Sequence, residues 1–167
     1  NKMTVQEIFS GETVIPLAEL NGHKDGEQMQ WLLKAMALCN DVAESDDGKT
    51  IGDPTEIAFI VAAKDYQFLK KELEETYPRV AEIPFDSERK CMSTIHRDGS
   101  EFVIFTKGAL DVLLDKTTGI SPAEKENWSE QGDGMADKGL RVLGFAMRRV
   151  DDLPDEISPE TIEHDLQ

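Results

Sequence analysis

Cysteine, tryptophan and tyrosine are scarce in this chain, at two each in 167 residues. Cys39 and Cys91 lie far apart and form no CxxC pair, which excludes a disulfide framework and a cysteine-based zinc site. Two reduced thiols of a cytosolic protein are the simple expectation. His23, His96 and His164 stand singly, with no ligand spacing to either cysteine, so no metal site is expected. Positive charge is also short: 18 basic residues face 34 acidic ones, a formal net charge of −16. That balance argues against nucleic acid or an anionic membrane surface as the main partner. No apolar run approaches the roughly 20 residues that a bilayer-spanning helix needs. A signal-peptide pattern is missing, and Asn1-Lys2-Met3 is not a natural start, so the chain reads as a fragment of something larger.

Several familiar motifs fail on inspection. Gly48-Lys49-Thr50 resembles the end of a phosphate-binding P-loop, but Ala43 occupies the position of its first glycine. The acidic loop around Asp46 and Asp47 has Pro54 where a calcium-binding EF-hand needs its bidentate glutamate. Asn127-Trp128-Ser129 is a glycosylation sequon without meaning in a cytosolic chain. There is no GxSxG, HExxH or dinucleotide-binding fingerprint.

What remains is an ordinary globular composition, 39% hydrophobic and 31% charged, at a length that suits one domain spanning 1–167. Met3–Phe9 and Thr13–Ile15 have the β-branched content of short strands. Met29, Leu32, Leu33, Met36 and Cys39 recur at helical spacing, so Glu27–Cys39 is expected to be an amphipathic helix. Residues 40–52 read as a polar loop. Asp53-Pro54-Thr55-Glu56 starts a helix, with Asp53 as N-cap, Pro54 at the first position and Glu56 placed for a capping box. A second helical piece covers Gln67–Thr76. Strands are expected over Arg79–Phe85, Lys90–Arg97 and Ser100–Lys107. Asp98-Gly99 joins the last two through a type I′ turn, and the hairpin's two partly apolar faces place it centrally in its sheet. A short helix near Gly108–Leu114, a capped helix from Ser121-Pro122, a strand over Leu140–Val150 and a last helix after Ser158-Pro159 complete the reading. Gly132 and Gly134 obscure where the Ser121 helix ends. The class is α+β, an antiparallel twisted sheet flanked by helices.

Four stretches carry residues that a purine nucleotide would need. Asp53-Pro54-Thr55-Glu56 places a carboxylate at a helix start. The stretch 85–93, Phe85-Asp86-Ser87-Glu88-Arg89-Lys90-Cys91-Met92-Ser93, puts a ring and two cations at a strand end. Lys107-Gly108-Ala109 offers an amine beside backbone bare enough for a flat ring. Leu140-Arg141-Val142-Leu143-Gly144 adds a cation on an apolar strand. Each also has a plainer role: cap, core ring, solvated or ion-paired cation, turn glycine.

In this order and at these separations the four stretches resemble the motifs of the nucleotide-binding domain of type II P-type ATPases, approximately G-[DNE]-x-T-E, F-[DS]-x-x-R-K-x-M-S, K-G-A and L-R-x-L. Asn1-Lys2-Met3-Thr4-Val5 is similar to the segment after that family's phosphorylated D-K-T-G-T-L-T, and Leu38-Cys39-Asn40-Asp41 is also family-like. The resemblance covers essentially the whole chain. It implies that Phe85 stacks on adenine, a contact worth roughly 1–3 kcal/mol in base–aromatic pairs. Glu56 would accept from the adenine amino group. Lys107 would line the inner pocket, with Gly108 and Ala109 admitting the ring and Met92 and Leu143 as apolar walls. Lys90 and Arg141 would meet the ribose–phosphate end. Ser87 departs from some calcium pumps, which have arginine there.

The same resemblance implies ATP as ligand, Mg-ATP in the parent pump, with the phosphorylation and actuator domains as partners. The setting would be a cytoplasmic domain of an integral membrane protein, joined to the membrane only through segments outside this chain. No D-K-T-G-T or T-G-D-G-x-N-D is present, so no catalytic residue is assigned here. The wording of the motifs leans toward calcium pumps. Two competing readings are a protein-interaction module of the same fold without nucleotide binding, and a free-standing phosphohydrolase, which the missing aspartate motif disfavours.

Overall fold

Residues 27–39 fold as their helical spacing requires. Helix α1, Glu27–Leu38, buries Met29, Leu33 and Met36, and Cys39 follows it inside. The structure, a computed structural model, describes residues 2–167, so Asn1 of the N-terminal motif lies outside it. Two units are distinguished, Asn1–Glu75 and Thr76–Gln167.

In the first unit, β1 (Glu7–Phe9) and β2 (Val14–Pro16) pair antiparallel, with Ile8 opposite Ile15 and both buried. Strand β1 is shorter than the Met3–Phe9 span the sequence suggests, and β2 is shifted by one residue from Thr13–Ile15. Residues 40–52 are not wholly loop, because β3 (Ala43–Glu44) and β4 (Thr50–Ile51) form a minimal antiparallel pair. Asn40 explains why the chain can turn there. Its buried amide donates to Met36 O at 3.2 Å and Ala37 O at 2.9 Å, closing the end of α1, and its Oδ1 accepts from Val42 N at 3.1 Å and Lys70 Nζ at 3.0 Å. Helix ends leave such carbonyls without partners, and one side chain here answers both. Helix α2, Pro54–Asp65, begins as expected, with Asp53 Oδ1 accepting from Thr55 N at 2.8 Å and Pro54 at its first position. Helix α3, Lys70–Thr76, starts three residues after the beginning of the expected span. Gln67, at φ +73, breaks the helical path between α2 and α3.

The second unit is built on four antiparallel strands, β5 (Arg79–Asp86), β6 (Cys91–Asp98), β7 (Glu101–Gly108) and β8 (Gly144–Val150), in that spatial order. The α+β expectation holds, and the β6–β7 hairpin is central as its two-sided apolarity requires. The turn differs in type. Asp98 pairs with Glu101, so Gly99 and Ser100 are the two loop residues, and Gly99 has φ +63 while Ser100 is not among the residues of positive φ. Glycine at the first loop position is the signature of a type II′ turn, which serine can complete without strain. Strand β8 begins at Gly144 rather than Leu140.

Helices α4 (Leu110–Lys116) and α5 (Pro122–Asp137) lie between β7 and β8 in sequence. The capping box of α5 is complete: Glu124 N donates to Ser121 Oγ at 3.1 Å and Ser121 N to Glu124 Oε2 at 2.8 Å. The helix passes through both glycines, so neither is a stop signal. A Cβ on Gly132 would lie 2.5 Å from Leu110 Cδ2, which gives that glycine a packing reason inside the helix. Helix α6, Pro159–Ile162, follows Ser158 as expected.

Side chains alternate across a sheet, and the register sorts this one cleanly. One face carries Cys91, Ser93 and Ile95 of β6 beside Gly108, Thr106 and Ile104 of β7 and Gly144 and Ala146 of β8. It is covered by α4 and the C-terminal segment: Ile162 joins Ile83, Ile95 and Ile104, while Leu113 and Leu166 join Cys91 and Ala146. The opposite face carries the row Met92, Lys107, Phe145 and, further along, Thr94 and Phe105.

Candidate functional site

Sheet register brings most of the sequence-derived candidates to one end of the second unit. At that end Asp86, Cys91, Gly108 and Gly144 pair across all four strands. Phe85 precedes Asp86, Lys90 precedes Cys91, Ala109 follows Gly108 and Leu143 precedes Gly144. Met92 and Lys107 form the adjoining row on the face away from α4. Arg141 lies three residues before β8, exposed in the approach to that end, with Leu143 half-buried. Glu56 belongs to the first unit, on the first turn of α2.

Phe85 sits where β5 departs from regular pairing, between Ile83 and Asp86, and its ring is 62% exposed. It is therefore not the core ring that a plainer reading would allow. The turn after it is fixed from several sides. Asp86 Oδ1 accepts from Glu88 N at 2.7 Å, and Lys90 N donates to Asp86 O at 2.6 Å. Lys90 closes the turn at φ +59, a backbone region that costs most residues free energy. Its carbonyl accepts from Ala109 N at 3.1 Å, and its side chain is exposed.

Lys107-Gly108-Ala109 gains a structural meaning from the same contact. A Cβ on Gly108 would lie 2.3 Å from Lys90 O and 2.6 Å from Cys91 Cβ. Glycine is required there for the β6 start and the β7 end to meet, apart from any approach of a ligand. Gly144 has a similar constraint, 2.9 Å from Leu113 Cδ1, so α4 seats closely on the sheet end. Lys107 itself is 7% exposed, an amine held among the buried residues of the sheet.

The two cations of the 85–93 stretch separate in role. Lys90 is exposed, while Arg89 is half-buried and engaged: Nε donates to Glu163 Oε2 at 2.8 Å, and Nη2 donates to Pro84 O and Cys91 O, both at 2.9 Å. Burial alone would lower the Arg89 guanidinium, and the hydrogen bond and charge of Glu163 outweigh it, holding the group above its ordinary value. Cys91 beside them is raised, first by burial and then by the Glu163 charge, so it stays a neutral thiol. Glu163 escaped the sequence reading because it is one carboxylate in an acidic tail, with nothing local to mark it as buried.

Glu56 also differs in detail from expectation. Asp53 caps α2, but the Glu56 carboxylate does not return to the Asp53 backbone; its Oε2 accepts from Asp41 N at 3.3 Å. Among the described residues no three His, Cys, Asp or Glu side chains are grouped as metal ligands, and no helix is long and apolar enough to cross a membrane. Chemically, the sheet end offers an exposed aromatic face, an exposed ammonium on a rigid turn and a neighbouring buried amine, in a chain that is otherwise strongly acidic.

Comparison with known sequences gives a consistent result. Residues 28–167 match the sequence family described as P-type ATPase, cytoplasmic domain N. The chain is 39% identical to calcium-transporting ATPase 1 of Bacillus cereus, over 89% of this chain and 18% of that protein. It is 38% identical to calcium-transporting ATPase 1 of Lactococcus lactis, over 99% of this chain and 20% of that protein. A probable cation-transporting ATPase F of Mycobacterium bovis is 35% identical, over 80% of this chain and 16% of its own length. The chain thus spans about a fifth of the length of the relatives it matches.

Proposed function

The chain belongs to the family of P-type ATPase cytoplasmic N domains, and from that premise we propose that it binds ATP and presents the γ-phosphate to the phosphorylation domain of a cation-transporting pump. Calcium is the proposed cargo, since relatives at 38–39% identity are named calcium-transporting ATPases. The observation that carries the nucleotide reading is Phe85, a phenyl ring 62% exposed at the end of a sheet, on a turn whose backbone is held by side-chain and main-chain hydrogen bonds. Large apolar rings are left in water at a cost, and one so placed suits a flat, partly apolar ligand.

In this reading adenine stacks on Phe85. Lys90 supplies an exposed ammonium next to it, and Lys107 an amine whose stem is already buried, so little side-chain entropy is lost on contact. Met92, one residue opposite Lys107 in the register, and Leu143 provide apolar walls, while Gly108 and Ala109 keep the sheet end low. Arg141 reaches the outer phosphates. ATP, as Mg-ATP in the parent, supplies the transferable phosphoryl group, and this chain's residues bind and orient it. The receiving aspartate belongs to the phosphorylation domain, a proposed partner together with the actuator domain.

Binding should be weak, in the high-micromolar to millimolar range, about 4–6 kcal/mol, because the phosphates meet only part of their final surroundings. The test is an ATP titration of the chain followed by amide NMR, with Phe85→Ala as the variant. Shifts centred on residues 85–92 and 107–109, and an affinity at least about tenfold lower in Phe85→Ala, are expected from the size of aromatic stacking. A chain that ignores ATP, or a variant that binds it equally, would leave a protein-interaction module of the same fold as the better reading.

A further inference from the structure

Glu163 is a carboxylate that ATP binding does not use, yet its side chain is fully buried. Oε2 accepts from Arg89 Nε at 2.8 Å and from Cys91 Sγ at 3.5 Å. Oε1 accepts from Ser93 Oγ at 2.8 Å, and Ser93 in turn shares a 2.8 Å hydrogen bond with Thr106. Lys116 Nζ stands 4.0 Å away. The residues on either side of Glu163 are anchored independently: Ile162 and Leu166 are both fully buried, and Gln167 exchanges main-chain hydrogen bonds with Met147 at 2.8 and 2.9 Å. Glu163 is thus presented to the sheet by a fixed backbone.

A buried ion pair is weak evidence of stabilisation, because desolvation offsets most of the attraction and an apolar replacement is often as stable. Geometry gives this one another meaning. The guanidinium that Glu163 holds makes two further bonds, to Pro84 O and to Cys91 O, which flank the turn 85–90 on either side. One planar fork therefore ties both ends of the turn that carries Phe85 and Lys90. With Glu163 in place, Arg89 has its Nε satisfied and its Nη2 aimed at the two carbonyls.

We propose that Arg89 and Glu163 are positioning residues for the nucleotide, setting the Phe85–Lys90 turn in its binding geometry from behind the sheet. The proposal rests on the ATP reading and makes the C-terminal segment part of the site's support. Neither residue touches the ligand. Both act through Phe85 and Lys90.

The test is a set of ATP titrations on the 167-residue chain, comparing wild type, Glu163→Gln, Phe85→Ala and the double variant, each first shown to be folded by its amide spectrum. Glu163→Gln is expected to weaken ATP binding about fivefold or more, and to weaken it far less in the Phe85→Ala background, as for groups that act as a unit. Arg89→Lys keeps the charge but cannot bridge both carbonyls, so it should reproduce the loss, and it carries the test if Glu163→Gln does not fold. Wild-type affinity in either folded variant overturns the proposal, as does an equal loss with and without Phe85, which marks a merely structural ion pair. If wild type itself ignores ATP, the nucleotide reading fails and this proposal with it. Silent variants beside a binding wild type sink the positioning role alone.

Discussion

Replacing Gly108 by alanine adds one methyl group where the sheet end is tightest. The new Cβ would lie 2.3 Å from Lys90 O, 2.6 Å from Cys91 Cβ and 2.8 Å from Cys91 Cα. Two of these are main-chain atoms, and Cys91 is paired on both sides in β6, so no rotamer change relieves the clash. Strands β6 and β7 must part, which weakens the Ala109 N to Lys90 O bond as well. Overpacking of this kind costs about 1–3 kcal/mol, and backbone involvement puts Gly108→Ala at the upper end. For a chain of this size each kcal/mol moves the midpoint by roughly 2–4 °C, so Tm should fall by about 4–12 °C. Trp128 lies in the same unit, and its fluorescence in a Trp31→Phe background follows the relevant transition. Gly134 is the matched control. It lies inside α5 with nothing within 4 Å of an added Cβ, so alanine there should stabilise by about 0.5–1 kcal/mol. A Gly108→Ala chain as stable as wild type, or shifted in the same direction as Gly134→Ala, would refute the packing argument.

Two further perturbations have defined outcomes. Ser121→Ala removes the acceptor of Glu124 N and half of the α5 capping box, and urea denaturation should show a loss of about 1 kcal/mol. Stability should also fall with rising pH in the alkaline range. Burial, followed by the Glu163 charge, raises Cys91 in the folded state, so the unfolded chain releases that proton first, from about pH 8.5 upward. Below that range both states keep the proton and the contribution is fully present. Cys91→Ala should flatten the slope, and an unchanged slope between wild type and variant would contradict the assignment.

Much of the fold is legible because local chemistry decides it. Asp98-Gly99 can hardly avoid a hairpin, and Ser121 with Glu124 caps a helix wherever both are exposed. The failures are equally physical. Gly132 and Gly134 obscure where the Ser121 helix ends, yet it runs through both: at Gly132 the Leu110 side chain fills the space a side chain would need, while Gly134 faces open space and costs the helix only its propensity. The β3–β4 pair is only two residues a side, too short for alternation to register. For the candidate site, the sequence groups Phe85, Lys90, Lys107 and Gly108, and strand register alone gathers them at one sheet end. Composition and spacing alone do not separate Arg89 from Lys90; only the family resemblance singles out Lys90. The distinction depends on Glu163, which is 74 residues away and locally indistinguishable from other tail acids.

Lys90 has a consequence for attempts to make this chain sturdier. Its φ of +59 is a conformation that glycine or asparagine adopts at lower cost, so Lys90→Gly or Lys90→Asn relieves the backbone. Variants chosen only for heat resistance should collect at this position. Each would discard the exposed Lys90 ammonium and, on the proposed nucleotide reading, return a tougher chain with weaker ATP binding. A screen that retains lysine there must score binding and melting together, since the proposed binding role and relief of the backbone pull this one residue in opposite directions.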